Sequence, residues 1–182
     1  VDKISVVDAE NETAEINDAV DQVEIVLNNS EDLSVTMMSS SDNELTVGLT
    51  SVTGADITVD TNVNALTLSS NGDAENIISN LVAPSATTLM LEGSQELEIK
   101  EEIGAANLAK VTTVDGSDAT DKLTLILNGA TIDNVTLGDA GDDLTVDAVA
   151  TDAVINTGDG GDDVIINDMP ANGTVNTGDG GD

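Results

Sequence analysis

Short apolar–polar–apolar triplets recur along the chain. They are Leu33-Ser34-Val35, Leu45-Thr46-Val47, Ile57-Thr58-Val59, Leu66-Thr67-Leu68, Leu97-Glu98-Ile99, Leu123-Thr124-Leu125 and Leu144-Thr145-Val146, with Leu89-Met90-Leu91 and Val164-Ile165-Ile166 as more apolar versions. Alternation rich in β-branched residues is the period-two signal of a strand with one buried face. The middle residue of each triplet then faces water. Asn, Asp, Gly and Ser fill the intervals, which is turn chemistry. The triplets often stand about 20 residues apart, or half of that. A coil with two or three short strands per turn satisfies this spacing. The expected fold is all-β, a right-handed parallel β-solenoid (a β-roll) of about 20 residues per turn.

Two stretches carry a competing period. Over 13–26, Ile16, Val20, Val23 and Leu27 fall at helix-like spacing, and over 99–110 Ile103 and Ala106 share a side, with Gly104 between them. Short helices in the N-terminal half are therefore a second expectation. Pro84, after Leu81-Val82-Ala83, marks an irregular link.

Glycine divides the chain. Five of the 16 Gly lie in the first 110 residues and eleven in the last 72. Residues 1–110 read as a β-rich, solenoid-like segment with polar, Gly-poor turns. Its turns at Asn29-Ser30-Glu31-Asp32 and Ser40-Ser41-Asp42-Asn43-Glu44 lack the Gly that positive φ favours. Residues 111–182 read as a second segment built on a repeated phrase.

That phrase is Thr157-Gly158-Asp159-Gly160-Gly161-Asp162, which returns as Thr177-Gly178-Asp179-Gly180-Gly181-Asp182 after a step of 20. A degenerate copy, Leu137-Gly138-Asp139-Ala140-Gly141-Asp142, stands one step earlier, and a weaker one, Ser117-Asp118-Ala119-Thr120-Asp121, a step of 21 before that. All share Asp-x-x-Asp, and Leu123, Leu144 and Val164 each follow the second Asp by two residues. A fixed period of this length indicates a repeat architecture in which each period is one turn. Stacking the turns stacks the carboxylates, which repel unless a cation lies between them.

Composition narrows the function classes. The 182 residues carry a formal charge of -32, from 36 acids against four basic residues, all Lys. His, Cys and all aromatics are absent. Aliphatic residues suffice for a core, so the charge does not imply disorder. The charge argues against nucleic acid, which requires a basic footprint, and against anionic membrane surfaces. No apolar run is long enough to span a bilayer. Salt adaptation would also produce acidity, but it predicts scattered acids rather than Gly-Asp phrases at a constant step. Paired carboxylates could hydrolyse a glycoside, yet no aromatic is present to stack a sugar and no His to shuttle a proton. Nothing in the sequence gives Lys100, Lys110 or Lys122 a pocket. The chain is expected to be no enzyme.

The C-terminal phrase resembles the nonapeptide of RTX (repeats-in-toxin) proteins, G-G-x-G-x-D-x-U-x, with U a large aliphatic. Gly158, Gly160, Asp162 and Val164 take its second, fourth, sixth and eighth places; Gly138, Asp142 and Leu144 repeat three of these; Gly178, Gly180 and Asp182 begin another. The resemblance implies a parallel β-roll with Ca2+ between successive loops, held by Asp side chains and by carbonyls near the glycines. Carried onto this chain, the implied ligands are Asp142, Asp162 and Asp182 first. Asp139, Asp159 and Asp179 follow, with Gly138, Gly158, Gly160 and Gly178 as backbone donors and Asp118 and Asp121 in the weakest copy. The departures are Thr157, Leu137 and Thr177 at the first Gly, and Ala140 at the fourth-position Gly.

A second phrase, Asn107-Leu108-Ala109-Lys110-Val111-Thr112-Thr113-Val114-Asp115-Gly116-Ser117 followed by Leu123-Thr124-Leu125, resembles repeats of bacterial surface-layer and large adhesin proteins. Together the two resemblances imply an extracellular structural protein, exported by type I secretion. It would assemble with copies of itself into a calcium-dependent lattice, and would reach cell-surface polysaccharide through regions outside this chain. On that reading the sequence is a piece of a longer protein. A spacer or binding module of an RTX adhesin, and an export-linked β-roll of a secreted enzyme, are the alternatives. An ice-binding face would need one regular Thr array, and Thr46, Thr58, Thr67, Thr124 and Thr145 do not keep a single spacing.

Overall fold

The computed structural model describes residues 3–7, 13–19, 23–29, 32–37, 43–100 and 107–182. Fifteen strands follow one another: β1 Lys3–Val7, β2 Thr13–Ala19, β3 Val23–Asn28, β4 Asp32–Met37, β5 Asn43–Thr50, β6 Thr53–Val59, β7 Val63–Asn71, β8 Asn76–Val82, β9 Thr88–Gly93, β10 Leu97–Ile99, β11 Thr113–Ala119, β12 Leu123–Thr136, β13 Asp143–Asn156, β14 Asp163–Asp168 and β15 Thr174–Asn176. All nine triplets lie in strands.

Every pairing is parallel, and from β1 to β10 each strand pairs with the next but one. β1-β3-β5-β7-β9-β11 form one ladder and β2-β4-β6-β8-β10 the other. The long β12 and β13 serve both: the start of β12 continues from β10, and its end continues from β11. The molecule is a parallel β-solenoid of roughly 21 residues per turn. Partners such as Leu45↔Leu66 and Leu66↔Leu89 place like residues above one another from turn to turn. The inward side chains of both ladders, among them Ile25, Leu45, Leu66, Leu33, Ile57 and Leu81, form one buried aliphatic cluster. Full burial of each such side chain is worth about 1.5–3 kcal/mol, and thin aliphatic layers suit the gap between two closely apposed ladders.

The ladders cross residue 110 without a break. β9 pairs with β11 and β10 with β12, so the Gly-poor and Gly-rich stretches are stacked turns of one coil.

The expected helix over 13–26 does not occur among the described residues: β2 and β3 take 13–19 and 23–28, and 20–22, with Val20, lie outside them. In β3, Val23, Ile25 and Leu27 are buried with half-exposed residues between them. The helix-like spacing arises because the count runs from one strand into the next. Of the other stretch, Ile99 closes β10, residues 107–110 form bends and turns, and 101–106 lie outside the described residues. No helix occurs among the described residues.

The N-terminal turns also differ from plain polar turns. Asn29, Ser51, Gly72 and Gly93, at the ends of β3, β5, β7 and β9, have φ of 51°, 54°, 107° and 117°. One corner is thus left-handed in four successive turns, and Asn and Ser take that conformation without Gly. Of the 40–44 turn, Asn43 opens β5 and is buried, while its residues before 43 lie outside the described residues.

Beside that corner sits Asn76, fully buried. Its Oδ1 accepts from the Val52 N–H at 2.9 Å, and its Nδ2 donates to Ser70 Oγ at 2.9 Å and to the Asn71 carbonyl at 3.0 Å. It closes backbone and side-chain hydrogen bonds that the turn would otherwise leave unmade.

Candidate functional site

The repeated phrases form the loops that lead into β13, into β14, and beyond β15. They stack in register at the step of 20. The Leu137 N–H donates to the Asn156 carbonyl and the Thr157 N–H to the Asn176 carbonyl, at 2.9 and 3.0 Å. Gly160 and Gly180 form a parallel bridge.

Two columns of aspartates join these loops. In the first, Asp182 Oδ1 accepts from the Asp162 N–H at 3.1 Å, Asp162 Oδ1 from the Asp142 N–H at 2.8 Å, and Asp142 Oδ1 from the Leu123 N–H at 2.8 Å. Each carboxylate reaches back one turn. In the second column the direction reverses. The Asp179 N–H donates to Asp159 Oδ1 at 2.9 Å, and the Asp159 N–H donates to Asp139 Oδ1 at 3.4 Å. Hydrogen bonds from N–H groups to carboxylates are charge-assisted and stronger than neutral ones, so the same loops are tied in both directions.

The glycines permit this close stacking. Gly158, Gly160 and Gly178 have φ of 84°, 144° and 70°. A Cβ on Gly158 would overlap the Gly138 carbonyl oxygen, and one on Gly178 would overlap that of Gly158. A Cβ on Gly138 would meet the Ala119 carbonyl in the same way.

Asp118 and Asp121 stand apart from both columns. Asp118 lies in β11 opposite Glu92. Asp121 is exposed, and its Oδ1 accepts from the Lys122 N–H at 2.9 Å. Leu125, not Leu123, pairs with Leu144, so the weakest copy is out of register by two residues. The Asp142 carboxylate accordingly meets Leu123, and the first column ends there.

Asp142 and Asp162 are nearly inaccessible, at 1% and 5% exposure, whereas Asp182, Asp139, Asp159 and Asp179 are exposed. The two buried carboxylates differ by one neighbour. Asp162 Oδ2 accepts from the buried Thr157 hydroxyl at 2.5 Å. One turn back, Leu137 stands where Thr157 would be, and Asp142 Oδ2 is buried without a hydrogen-bond partner. Burial pushes the Asp142 carboxyl up to about 7; the negative charge of Asp162 adds to this, while the Leu123 N–H and the Lys122 ammonium pull the other way. Lys122 itself is held by Asp143 at 2.6 Å.

The fit of a cation can be tested on these atoms. Among the described residues no three acidic side chains converge on one point, because the carboxylates succeed one another along the coil instead of meeting across it. Both oxygens of Asp162 are engaged by the protein. Asp142 Oδ2 is the buried carboxylate oxygen left over, and a calcium ion there would complete its six to eight ligands from loop carbonyls and water. Sequence reasoning missed the role of Thr157. Its signal was present in the phrase, since Thr recurs at 177 and Leu replaces it at 137.

No known family, curated protein or solved structure matches this chain.

Proposed function

We propose that this chain is a non-catalytic structural module of a bacterial cell-surface protein, loaded with calcium outside the cell and assembling with its own copies into a surface layer. The observation that carries this reading is Asp142 Oδ2, a buried carboxylate oxygen with no partner at the point where the stacked loops begin. A divalent cation would neutralise it against Asp162. Backbone carbonyls of the Gly138 and Gly158 loops would supply further oxygen donors. Free calcium is scarce in cytosol and plentiful outside, where modules bind it at roughly 10⁻⁴–10⁻³ M, so occupancy would follow secretion and contribute to folding. The charge of -32 would oppose contacts between copies until cations screen or bridge it.

A second reading has its own observation. The carboxylates of Asp162 and Asp182 accept N–H groups from the preceding turn, so hydrogen bonds within the protein already tie the loops. That favours a passive spacer of an adhesin. Electron microscopy of the purified protein in millimolar calcium and in excess chelator separates the two. Ordered sheets in calcium alone support the surface layer; single particles in both conditions support the spacer.

A further inference from the structure

We infer that Asn172–Gly173 is a site of spontaneous covalent self-modification, in which the Asn172 side chain loses ammonia through a cyclic imide and becomes aspartate or isoaspartate. The inference is independent of calcium and of lattice assembly.

The chain contains three Asn-Gly pairs, at 71–72, 128–129 and 172–173. Glycine after Asn leaves the peptide nitrogen open to approach the side-chain carbonyl carbon. In sequence the three are alike, and the fold separates them. Asn71 is exposed but held: its Nδ2 donates to Ser69 Oγ at 3.0 Å, and its carbonyl accepts from Asn76 Nδ2 at 3.0 Å. Asn128 lies inside β12 and is engaged by a partner. Asn172 lies in the turn between β14 and β15, is exposed, and has φ of 70°. Its side-chain amide has no hydrogen-bond partner among the described residues, and Gly173 precedes β15, outside the ladder. The Asn172 peptide is therefore free to rotate into the attacking geometry.

The step balances without any cofactor. The Gly173 backbone nitrogen gives up its proton and attacks Asn172 Cγ. A C–N bond forms, the Cγ–Nδ2 bond breaks, and ammonia leaves with the proton. Water then opens the five-membered imide at either carbonyl. One opening gives aspartate, the other isoaspartate with one extra carbon in the main chain.

The fold has already accepted the first product one turn earlier. Asp152 stands 20 residues before Asn172, is exposed, and has φ of 64°. Aspartate at 172 would repeat that corner and place two carboxylates on successive turns. Isoaspartate would lengthen the chain two residues before Thr174, where β15 registers on Val154 of β13, and would loosen that pairing.

The test is peptide mapping by mass spectrometry of the full chain, incubated at mildly alkaline pH in the folded state and in concentrated urea. In the folded protein Asn172 should convert first, faster than Asn71 and Asn128 by about tenfold or more, since each hydrogen bond that must break slows the rotation. In urea the three rates should converge. Gly173→Ala should slow conversion at 172 and leave Asn71 unchanged. The added methyl would come within 2.6 Å of the flexible tip of Met169, which can move aside. Equal rates in the folded state, an earlier conversion at Asn71 or Asn128, or an undiminished lead of Asn172 in urea would overturn the assignment.

Discussion

Asp162 Oδ1 lies 2.8 Å from the backbone nitrogen of Asp142, one turn below it. The same carboxylate takes the Thr157 hydroxyl on its other oxygen. A residue type chosen in sequence for its metal chemistry is thus also a backbone partner for the neighbouring turn. Asp162→Ala should leave the Asp142 N–H and the Thr157 hydroxyl buried and unpaired. The expected loss is roughly 2–4 kcal/mol, measured by urea unfolding in chelator. Asp162→Asn, which keeps an acceptor for the N–H, should lose less.

Asp142 makes a large contribution to the pH dependence. Its carboxyl is raised from 3.8 to about 7 in the folded chain. Between those values the unfolded chain releases a proton that the native chain keeps, so native stability falls as pH rises through this window and levels off above it. The full effect is roughly 4 kcal/mol, at about 1.4 kcal/mol per pH unit. In chelator, Asp142→Asn should remove this slope, and the difference from wild type should grow from pH 4 to 7. Leu137→Thr should flatten it as well, by supplying the hydroxyl that Thr157 gives Asp162. Thermal melts across pH for the three proteins check both expectations.

The loop glycines should split into two groups. Gly158→Ala would force a methyl into the Gly138 carbonyl at a positive φ, with an expected cost above ~3 kcal/mol. Gly181→Ala meets nothing within 4 Å and should stay within about 0.5 kcal/mol of wild type. Similar losses in both would show that the loops do not stack as closely as described.

Asn76 gives a test away from the aspartates. Asn76→Ala would orphan the Val52 N–H and remove the bonds to Ser70 Oγ and to the Asn71 carbonyl at the corner below β8, while the Ser70 hydroxyl keeps the Glu96 carbonyl. A loss of about 2–4 kcal/mol is expected, together with faster amide exchange at Val52.

The strands and the coil were legible because alternation reports a buried face directly, and the step of 20 returned as the register Val154↔Thr174 and Leu144↔Val164. The helix over 13–26 was misread because a count that crosses a turn can imitate a period of 3.6. The corner at Asn29 was misread because positive φ is favoured by Gly but not reserved to it. The weakest aspartate copy could not be placed, since Ser117–Asp121 keeps the spacing of Asp-x-x-Asp while its turn sits two residues out of register. The Thr157–Asp162 contact needed the fold, because spacing alone does not say which carboxylate oxygen a hydroxyl will reach.

Calorimetric titration of calcium into the wild-type chain and into Asp142→Asn at pH 7.5, with thermal melts alongside, tests the central proposal most directly. Calcium binding and a higher melting temperature are expected in the wild type, with at least one ion and most of the stabilisation lost in the variant. A wild-type chain that takes up no calcium and melts at the same temperature in calcium and in chelator would contradict it.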